Sequence, residues 1–251
     1  MVNPAITAAI SECAAAAAGG QTILELGAGT GALTRELMRR CKRVIALERD
    51  RELVPILKRE FEGTNVEVVE DNALTVNIGV LAGGGKIAVA GNLPYHIASQ
   101  IIFHLVDERA HISSFVLMIQ REMAQRLVAP PGCHEYGVLT VLCALHTKTT
   151  LVLKVPPSAF HPRPKVESAV VRFDVLDEPA VKIANESSFK KVVKAAFNQR
   201  RKSLKNALLP VFGDRATLNG ALIEAGIDPV KRGETLSLSE FAAVAERVPS
   251  G

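Results

Sequence analysis

The chain is predicted to be an α/β protein, a doubly wound sheet followed by a small all-helical domain. Three observations carry the prediction. Up to about Val175, short β-rich segments alternate with amphipathic ones, the pattern of parallel strands joined by crossover helices. The first β-rich segment runs into a glycine-rich turn, Gly27-Ala28-Gly29-Thr30-Gly31. After Asp177-Glu178-Pro179 only helical periodicity remains, so the domains are expected to be 1–176 and 177–251.

Taken in order, strands are expected at 22–26, 43–48, 65–70, 86–91 and 114–120, each bounded by Gly, Asn, Asp or charge. Helical spacing fills 32–40, 51–61, 97–106 and 121–128 between them. The runs 147–155 and 165–175 alternate without a helix between them, and read as an antiparallel pair closing one edge. A stiff proline-rich connection, 156–164, joins them. Helices are then expected at 186–197, 203–209, 216–225 and 239–248. No internal repeat is present, and the one biased tract is a short alanine run ending at Gly19-Gly20.

With 251 residues, 48% of them hydrophobic, the chain has material for a large core plus a small second one. No apolar run is long enough to span a bilayer. The start shows no basic–apolar–small leader pattern, so cytoplasmic residence is expected. Cys13, Cys41, Cys133 and Cys143 show neither C-x-x-C spacing nor companion histidines, which reads as free buried thiols rather than disulfides or a metal site. The net charge of +4 hints at a polyanionic partner.

The cofactor signal begins at Leu24-Glu25-Leu26-Gly27-Ala28-Gly29-Thr30-Gly31, a strand entering a glycine turn that opens a helix. A dinucleotide fingerprint is G-x-G-x-x-G; here the spacing is G-x-G-x-G, which suits a ligand without phosphate. Glu48 ends the second strand, where a carboxylate can take both hydroxyls of a ribose, a feature shared by NAD and S-adenosylmethionine sites. Asp71-Asn72 follows the third strand, where an Asp can accept from an adenine amino group. Gly27, Gly29, Glu48, Asp71 and Asn92 fall at successive strand ends, along the edge where such sheets bind ligands. Together they favour S-adenosylmethionine.

Asn92-Leu93-Pro94-Tyr95, after the apolar run 87–91, names a chemistry. An exocyclic amino group on a base is a poor nucleophile because its lone pair is conjugated into the ring. The amide oxygen of Asn92 and the carbonyl of Pro94 can each accept one of its N–H groups, drawing the nitrogen toward sp³. Tyr95 offers a face for stacking the base. An ordinary strand-end turn is the competing reading of these four residues alone.

In these motifs the chain resembles the KsgA-type rRNA adenine N6,N6-dimethyltransferases. The resemblance covers almost the whole length: ILELGAGTGALT at 23–34, Glu48-Arg49-Asp50, Asp71-Asn72-Ala73, GNLPYHIAS at 91–99, IQREMAQRLVAPPG at 119–132 and EYGVLTVL at 135–142. Two later blocks, VPPSAFHPRPKVESAVVRF at 155–173 and AFNQRRKSLKNAL at 196–208, are absent from generic methyltransferases. The resemblance implies a Rossmann-like S-adenosylmethionine-dependent methyltransferase domain with a helical rRNA-binding domain. It implies cofactor contacts from Gly27, Gly29, Glu48, Asp71, Asn72 and Asn92. It further implies that Asn92, Pro94 and Tyr95 hold the target adenine and that Phe160 covers its other face. The expected activity is N6,N6-dimethylation of two adjacent adenosines in a 3′-terminal hairpin of 16S rRNA, on a pre-30S ribosomal subunit, by a monomer that needs no metal and no membrane.

Lys190, Lys191, Lys194, Arg200, Arg201, Lys202 and Lys205 crowd one stretch of the helical domain. They are expected to bind rRNA phosphates, with Arg121, Arg126, Arg163 and Lys165 continuing the basic surface. A solvated helix face is the plainer reading of the same charge run. Two departures from the family stand out. Met1-Val2-Asn3-Pro4 begins where the family's basic arm and G-Q-x-F-L lid segment end, which implies either an upstream N-terminus or an open lid. His96 and Ala98 replace the usual Asn and Ser, with a pocket or a surface role open for His96. The alternatives are an Erm-like large-subunit rRNA adenine N6-methyltransferase, a catalytically weak RNA-binding ribosome-assembly factor, a small-molecule methyltransferase and, last, an NAD enzyme.

Overall fold

The computed structural model describes residues 4–161 and 163–249. Met1, Val2 and Asn3, where the lid segment is expected to break off, therefore lie outside the described residues. The elements run α1 (Pro4–Ala17), β1 (Thr22–Leu26), α2 (Ala32–Leu37), β2 (Arg43–Glu48), α3 (Leu53–Glu60), β3 (Val66–Glu70), α4 (Ile78–Ala82), β4 (Ile87–Asn92), α5 (Ala98–Asp107), β5 (Ile112–Gln120), α6 (Arg121–Leu127) and α7 (Val138–His146). They continue with β6 (Thr147–Val155), β7 (Ser168–Val175), α8 (Glu186–Asn198), α9 (Leu204–Ala207), α10 (Leu209–Phe212), α11 (Arg215–Glu224) and α12 (Leu238–Ala245).

The strands form one seven-stranded sheet in the order β3-β2-β1-β4-β5-β7-β6. β1 pairs in parallel with both β2 and β4, β2 with β3, and β4 with β5. The chain first builds outward from β1 to β3, then crosses to β4, so the β1/β4 seam is the topological switch point. β7 runs antiparallel to β5 and carries β6 on its outer side. The central strands are mostly apolar, Glu25 of β1 being an exception, with β1 and β2 buried from Ile23 and Val44 onward, as strands covered on both faces require. Phe115 of β5 stacks on Phe173 of β7, ring centroids 4.3 Å apart.

Two compact units divide the chain: Met1–Ala124 with Lys148–Val175, and Gln125–Thr147 with Leu176–Gly251. The second unit is therefore discontinuous. Besides the helices expected after 177 it takes in α7, an element the sequence pattern does not announce. Thr140, Val141, Leu142, Cys143, Leu145 and His146 of α7 are all buried, so the helix has little polar face to reveal its period. Tyr136, Phe197 and Phe241 form its aromatic core, with neighbouring centroids 5.8 Å apart, and the Tyr136 hydroxyl donates to the carbonyl of Leu236 at 2.9 Å.

Other local outcomes differ from expectation for identifiable reasons. The alanine run is part of α1, as alanine's helix preference favours, and Ile10, Ala14 and Ala15 pack it into the core of the sheet unit. The helix expected over 203–209 is split into α9 and α10, with Pro210 opening the second piece. The strand expected from 165 begins only at Ser168. All four cysteines are free, but only Cys41 and Cys143 are buried. Among the described residues no helix is long and apolar enough to cross a membrane, and no cluster of three or more His, Cys, Asp or Glu is placed to hold a metal ion.

Candidate active site

Parallel pairing brings the ends of β3, β2, β1 and β4 to one edge of the sheet in that order. Asp71, Glu48, the Gly27–Gly31 turn and Asn92 therefore share this edge, as the sequence requires. Gly27 and Gly29 have φ of 72° and 56°, a region that side chains with a Cβ avoid. The turn is tied to β2 by amides of Gly27 and Ala28 donating to the Leu47 carbonyl at 2.9 and 3.0 Å. Gly91 is needed for another reason. A Cβ there would lie 3.0 Å from the Leu26 carbonyl and 3.2 Å from the Leu93 side chain, so a side chain would force β4 and β1 apart by a few tenths of an ångström.

Glu48 is the most constrained of the predicted residues. Its Oε2 accepts the Gly29 amide at 2.7 Å, and its Oε1 accepts the amides of Arg49 and Asp50 at 2.8 and 2.9 Å. Charge-assisted bonds of this kind are worth about 1.5–3 kcal/mol each. They fix the carboxylate against the glycine turn and leave part of its acceptor capacity for a ligand. The Glu48 carbonyl accepts the Asp71 amide at 3.1 Å, which positions the next turn. Asp71 Oδ1 accepts the Asn72 amide at 2.6 Å, and Asn72 Oδ1 accepts the Leu74 amide at 3.1 Å. Asp71 is exposed and Asn72 half-buried.

A cavity of about 250 Å³ opens at the β1/β4 seam. Gly27, Gly29 and Asn92 line it, together with Glu25, Ile10 and Met118; Glu48, Asp71 and Asn72 lie further along the edge. Glu25 is the residue that motif reading missed. It lies on β1 at 2% exposure, and its Oε2 accepts from the Thr34 hydroxyl at 2.6 Å. Burial pushes its carboxyl up to about 8; the Thr34 bond pulls it down and the neighbouring Glu48 charge pushes it further up. The available signal was an acid inside an otherwise apolar strand, rare unless the acid is used or paired.

Asn92 ends β4 with an exposed side chain, in register with Met118 of β5. The Leu93 amide donates to the Met118 carbonyl at 3.1 Å and the Leu93 side chain is buried, so the turn is anchored immediately after Asn92. The Pro94 carbonyl accepts the Ile97 amide at 3.2 Å, which uses one of its two lone pairs. Tyr95 is half-buried, its hydroxyl 2.6 Å from Ser168 Oγ. Phe160, half-buried, closes the short turn after β6 and packs against the core cluster containing Val155, Ala159 and Val170. His96 is exposed, whereas Ala98 is buried at the start of α5.

In the helical unit, Phe189, Val192, Val193, Ala196 and Phe197 bury one face of α8, which leaves Lys191 and Lys194 exposed. Their side chains, and those of Arg201, Lys202 and Lys205, make no ion pair among the described residues. Two other members of the basic run are already engaged. Lys190 Nζ lies 3.1 Å from Glu186, an acid just upstream of the run. Arg200 donates to the carbonyls of His134 and Tyr136 at 2.6 and 3.0 Å, so it is partly a strut of its own unit. Arg121, expected to extend the basic surface, is paired with Glu167.

Comparison with known proteins gives a consistent result. The family model described as ribosomal RNA adenine dimethylase matches residues 2–248. A protein of Myxococcus xanthus named ribosomal RNA small subunit methyltransferase A is 46% identical over 226 residues, 89% of this chain and 80% of its own length. Among solved structures, a dimethyladenosine transferase from Plasmodium falciparum aligns with TM-score 0.78 and 27% identity, over 97% of this chain and 95% of that one. The 23S rRNA methyltransferase ErmE aligns with TM-score 0.73 and 27% identity, over 97% of each chain.

Proposed function

The chain belongs to the ribosomal RNA adenine dimethylase family, and on that premise we propose that it dimethylates adenine N6 in small-subunit rRNA, using S-adenosylmethionine. The observation that carries the reading is the Asn92–Tyr95 turn, held at the end of β4 with Asn92 on the rim of the switch-point cavity. The Myxococcus relative favours the small subunit over the large one, since its identity is well above that of ErmE. The finer reading is that the targets are two adjacent adenosines in a 3′-terminal hairpin of 16S rRNA, within a pre-30S particle, and that a cytoplasmic monomer does the work.

The residues present fit the cofactor. A buried acid facing a cavity, as Glu25 does, suits a ligand that carries positive charge, since such a ligand offsets the penalty of ionising the carboxyl. S-adenosylmethionine supplies a methyl group already activated on a sulfonium. The chain's own task is then alignment and polarisation, with no metal and no covalent enzyme intermediate. Gly27, Gly29, Glu48, Asp71 and Asn72 hold the cofactor. Asn92 Oδ1 and the remaining lone pair of the Pro94 carbonyl accept the adenine amino hydrogens. Tyr95 and Phe160 stack the flipped base, at about 1–3 kcal/mol per stacked base. After the first transfer one N–H remains to be held, so the second depends more on stacking. The helical unit binds rRNA through Lys191, Lys194, Arg201, Lys202 and Lys205, with Lys190 and Arg200 contributing beside their internal partners.

Incubation with labelled S-adenosylmethionine and undermethylated small or large ribosomal subunits tests the proposal. Label recovered as N6,N6-dimethyladenosine in small-subunit rRNA is expected. Label confined to large-subunit rRNA would transfer the chain to the Erm-like class. Absence of label together with tight subunit binding would make it an assembly factor.

A further inference from the structure

We propose that Ser168 is a positioning residue for the base pocket, acting through its 2.6 Å hydrogen bond to the Tyr95 hydroxyl. The inference rests on the reading of Tyr95 as the stacking face. An aromatic face needs no hydroxyl to stack on a base, so the hydroxyl of Tyr95 is unexplained by stacking alone. The structure gives it a partner 73 residues away in sequence.

Ser168 is well suited to hold something. It is 0% exposed, and its hydroxyl has Tyr95 as its side-chain partner. A buried hydroxyl without a partner is costly, so each of the two groups satisfies the other. The main chain around Ser168 is fixed from two directions. Ser168 pairs with Gln120 in the β5–β7 ladder. One residue earlier, the Glu167 carbonyl accepts the Arg121 amide at 2.9 Å and the Glu167 carboxylate pairs with the Arg121 guanidinium.

Tyr95, by contrast, follows a proline in a turn and is half-buried. Its Cα is set by β4, and the hydroxyl bond sets where the far end of its ring lies. With both ends held, the long axis of the ring is fixed, and with it where the aromatic surface lies. β7 thereby becomes part of the catalytic apparatus without touching the substrate. The dependence is greatest in the second methyl transfer, where only one amino hydrogen is left to orient the base and the ring must supply the rest.

The test compares Tyr95→Phe, Ser168→Ala, the double variant and Tyr95→Ala, reading rRNA methylation as mono- and dimethyladenosine, the KM for S-adenosylmethionine, and the melting temperature. Loss of one neutral hydrogen bond corresponds to about 3- to 10-fold. Tyr95→Phe and Ser168→Ala are each expected to lower the rate of the second transfer by about that factor, raising the monomethyl share, with the KM for S-adenosylmethionine unchanged. The double variant is expected to be no worse than either single one, because both remove the same bond. Tyr95→Phe leaves the buried Ser168 in place, which keeps the test open if Ser168→Ala folds poorly. If Tyr95→Ala abolishes dimethylation while Tyr95→Phe behaves as wild type, the positioning role of Ser168 is overturned and the stacking role of Tyr95 survives. If Tyr95→Ala is itself fully active, the stacking reading falls and this inference with it. A Ser168→Ala variant that loses melting temperature with no change in the product ratio shows a structural role only.

Discussion

In the sheet unit, Glu48 receives three main-chain N–H groups and Tyr95 is tied to a buried serine. In the helical unit, Lys191, Lys194, Arg201 and Lys202 extend from the surface with no ion pair among the described residues. On the proposed function the two regions would hold ligands by different physics. At the sheet edge, a few groups are fixed before any ligand arrives, so each is worth much and none is replaceable. On the helical surface, affinity for a polyanion would be a sum of screened charges, so each would be worth little and neighbours would substitute for one another. Substitutions at the sheet edge should therefore change rates steeply and specifically, and those on the helices should change salt dependence gradually.

The steepest effect is expected at Asn92. Asn92→Ala removes the side-chain acceptor proposed to polarise the amine, and the loss of one preorganised polar group in a reacting site costs about 10²–10³ in kcat. Single-turnover methylation of saturating subunits measures it directly. A loss under about tenfold would mean that the Asn92–Tyr95 turn is geometry and not chemistry.

Next comes Glu25, whose carboxyl is pushed in the folded chain from an ordinary value of 4.5 up to about 8. A raised folded pKa means that the native state favours the protonated acid. The stability this contributes is complete below pH 4.5 and is lost as pH rises through about 8. Glu25→Gln keeps a neutral side chain at all pH values, so its melting temperature is expected to equal that of wild type below about pH 4 and to exceed it by a margin that widens until pH passes about 8. The gap corresponds to a few kcal/mol. S-adenosylmethionine should narrow it if the cofactor's charge stabilises the carboxylate. Parallel melting curves across this pH range would refute the buried-acid account.

Glu48→Gln follows. An amide cannot accept on both ends, so one of the three N–H groups now on the carboxylate loses its partner, at about 1–3 kcal/mol. Calorimetry is expected to show S-adenosylmethionine affinity reduced by about 10- to 100-fold, with affinity for rRNA unchanged. If rRNA affinity fell equally, the division of labour between the two regions would be wrong.

What the sequence disclosed follows the same division. Signals local in sequence were readable: the apolar runs of β1, β2 and β4, the Gly27–Gly31 turn, and Glu48 and Asn92 at strand ends, all of which the fold places on one edge. The features it concealed depend on packing. α7 has its apolar residues on almost every side, so no amphipathic period marks it. Glu25 was in plain view within β1, but its titration depends on how deeply the strand is buried. The Tyr95–Ser168 bond joins residues 73 apart and has no local signature. Arg200 read as one more phosphate ligand, yet it spends its donors on His134 and Tyr136, which only the discontinuous helical unit brings within reach.

The smallest effects separate neighbours on α8, and they bear most directly on whether the surface acts as a sum. Removing one phosphate-neutralising cation should lower the slope of log affinity against log salt by about 0.7–0.9. Lys191→Gln removes an exposed cation and should cost close to that amount. Lys190→Gln removes a cation that already lies 3.1 Å from Glu186, so its charge is partly spent and its loss should lower the slope by less. Long-range attraction sees the same unit change in both variants, and only short-range pairing distinguishes them. Filter-binding titrations of the two variants against small-subunit rRNA between about 50 and 200 mM salt resolve the difference, since affinity carried by phosphates falls steeply over that range. Equal slopes would mean that the bound RNA senses only the smeared charge of the helix. A smaller change for Lys190→Gln would mean that even on this surface some geometry is set before the RNA arrives.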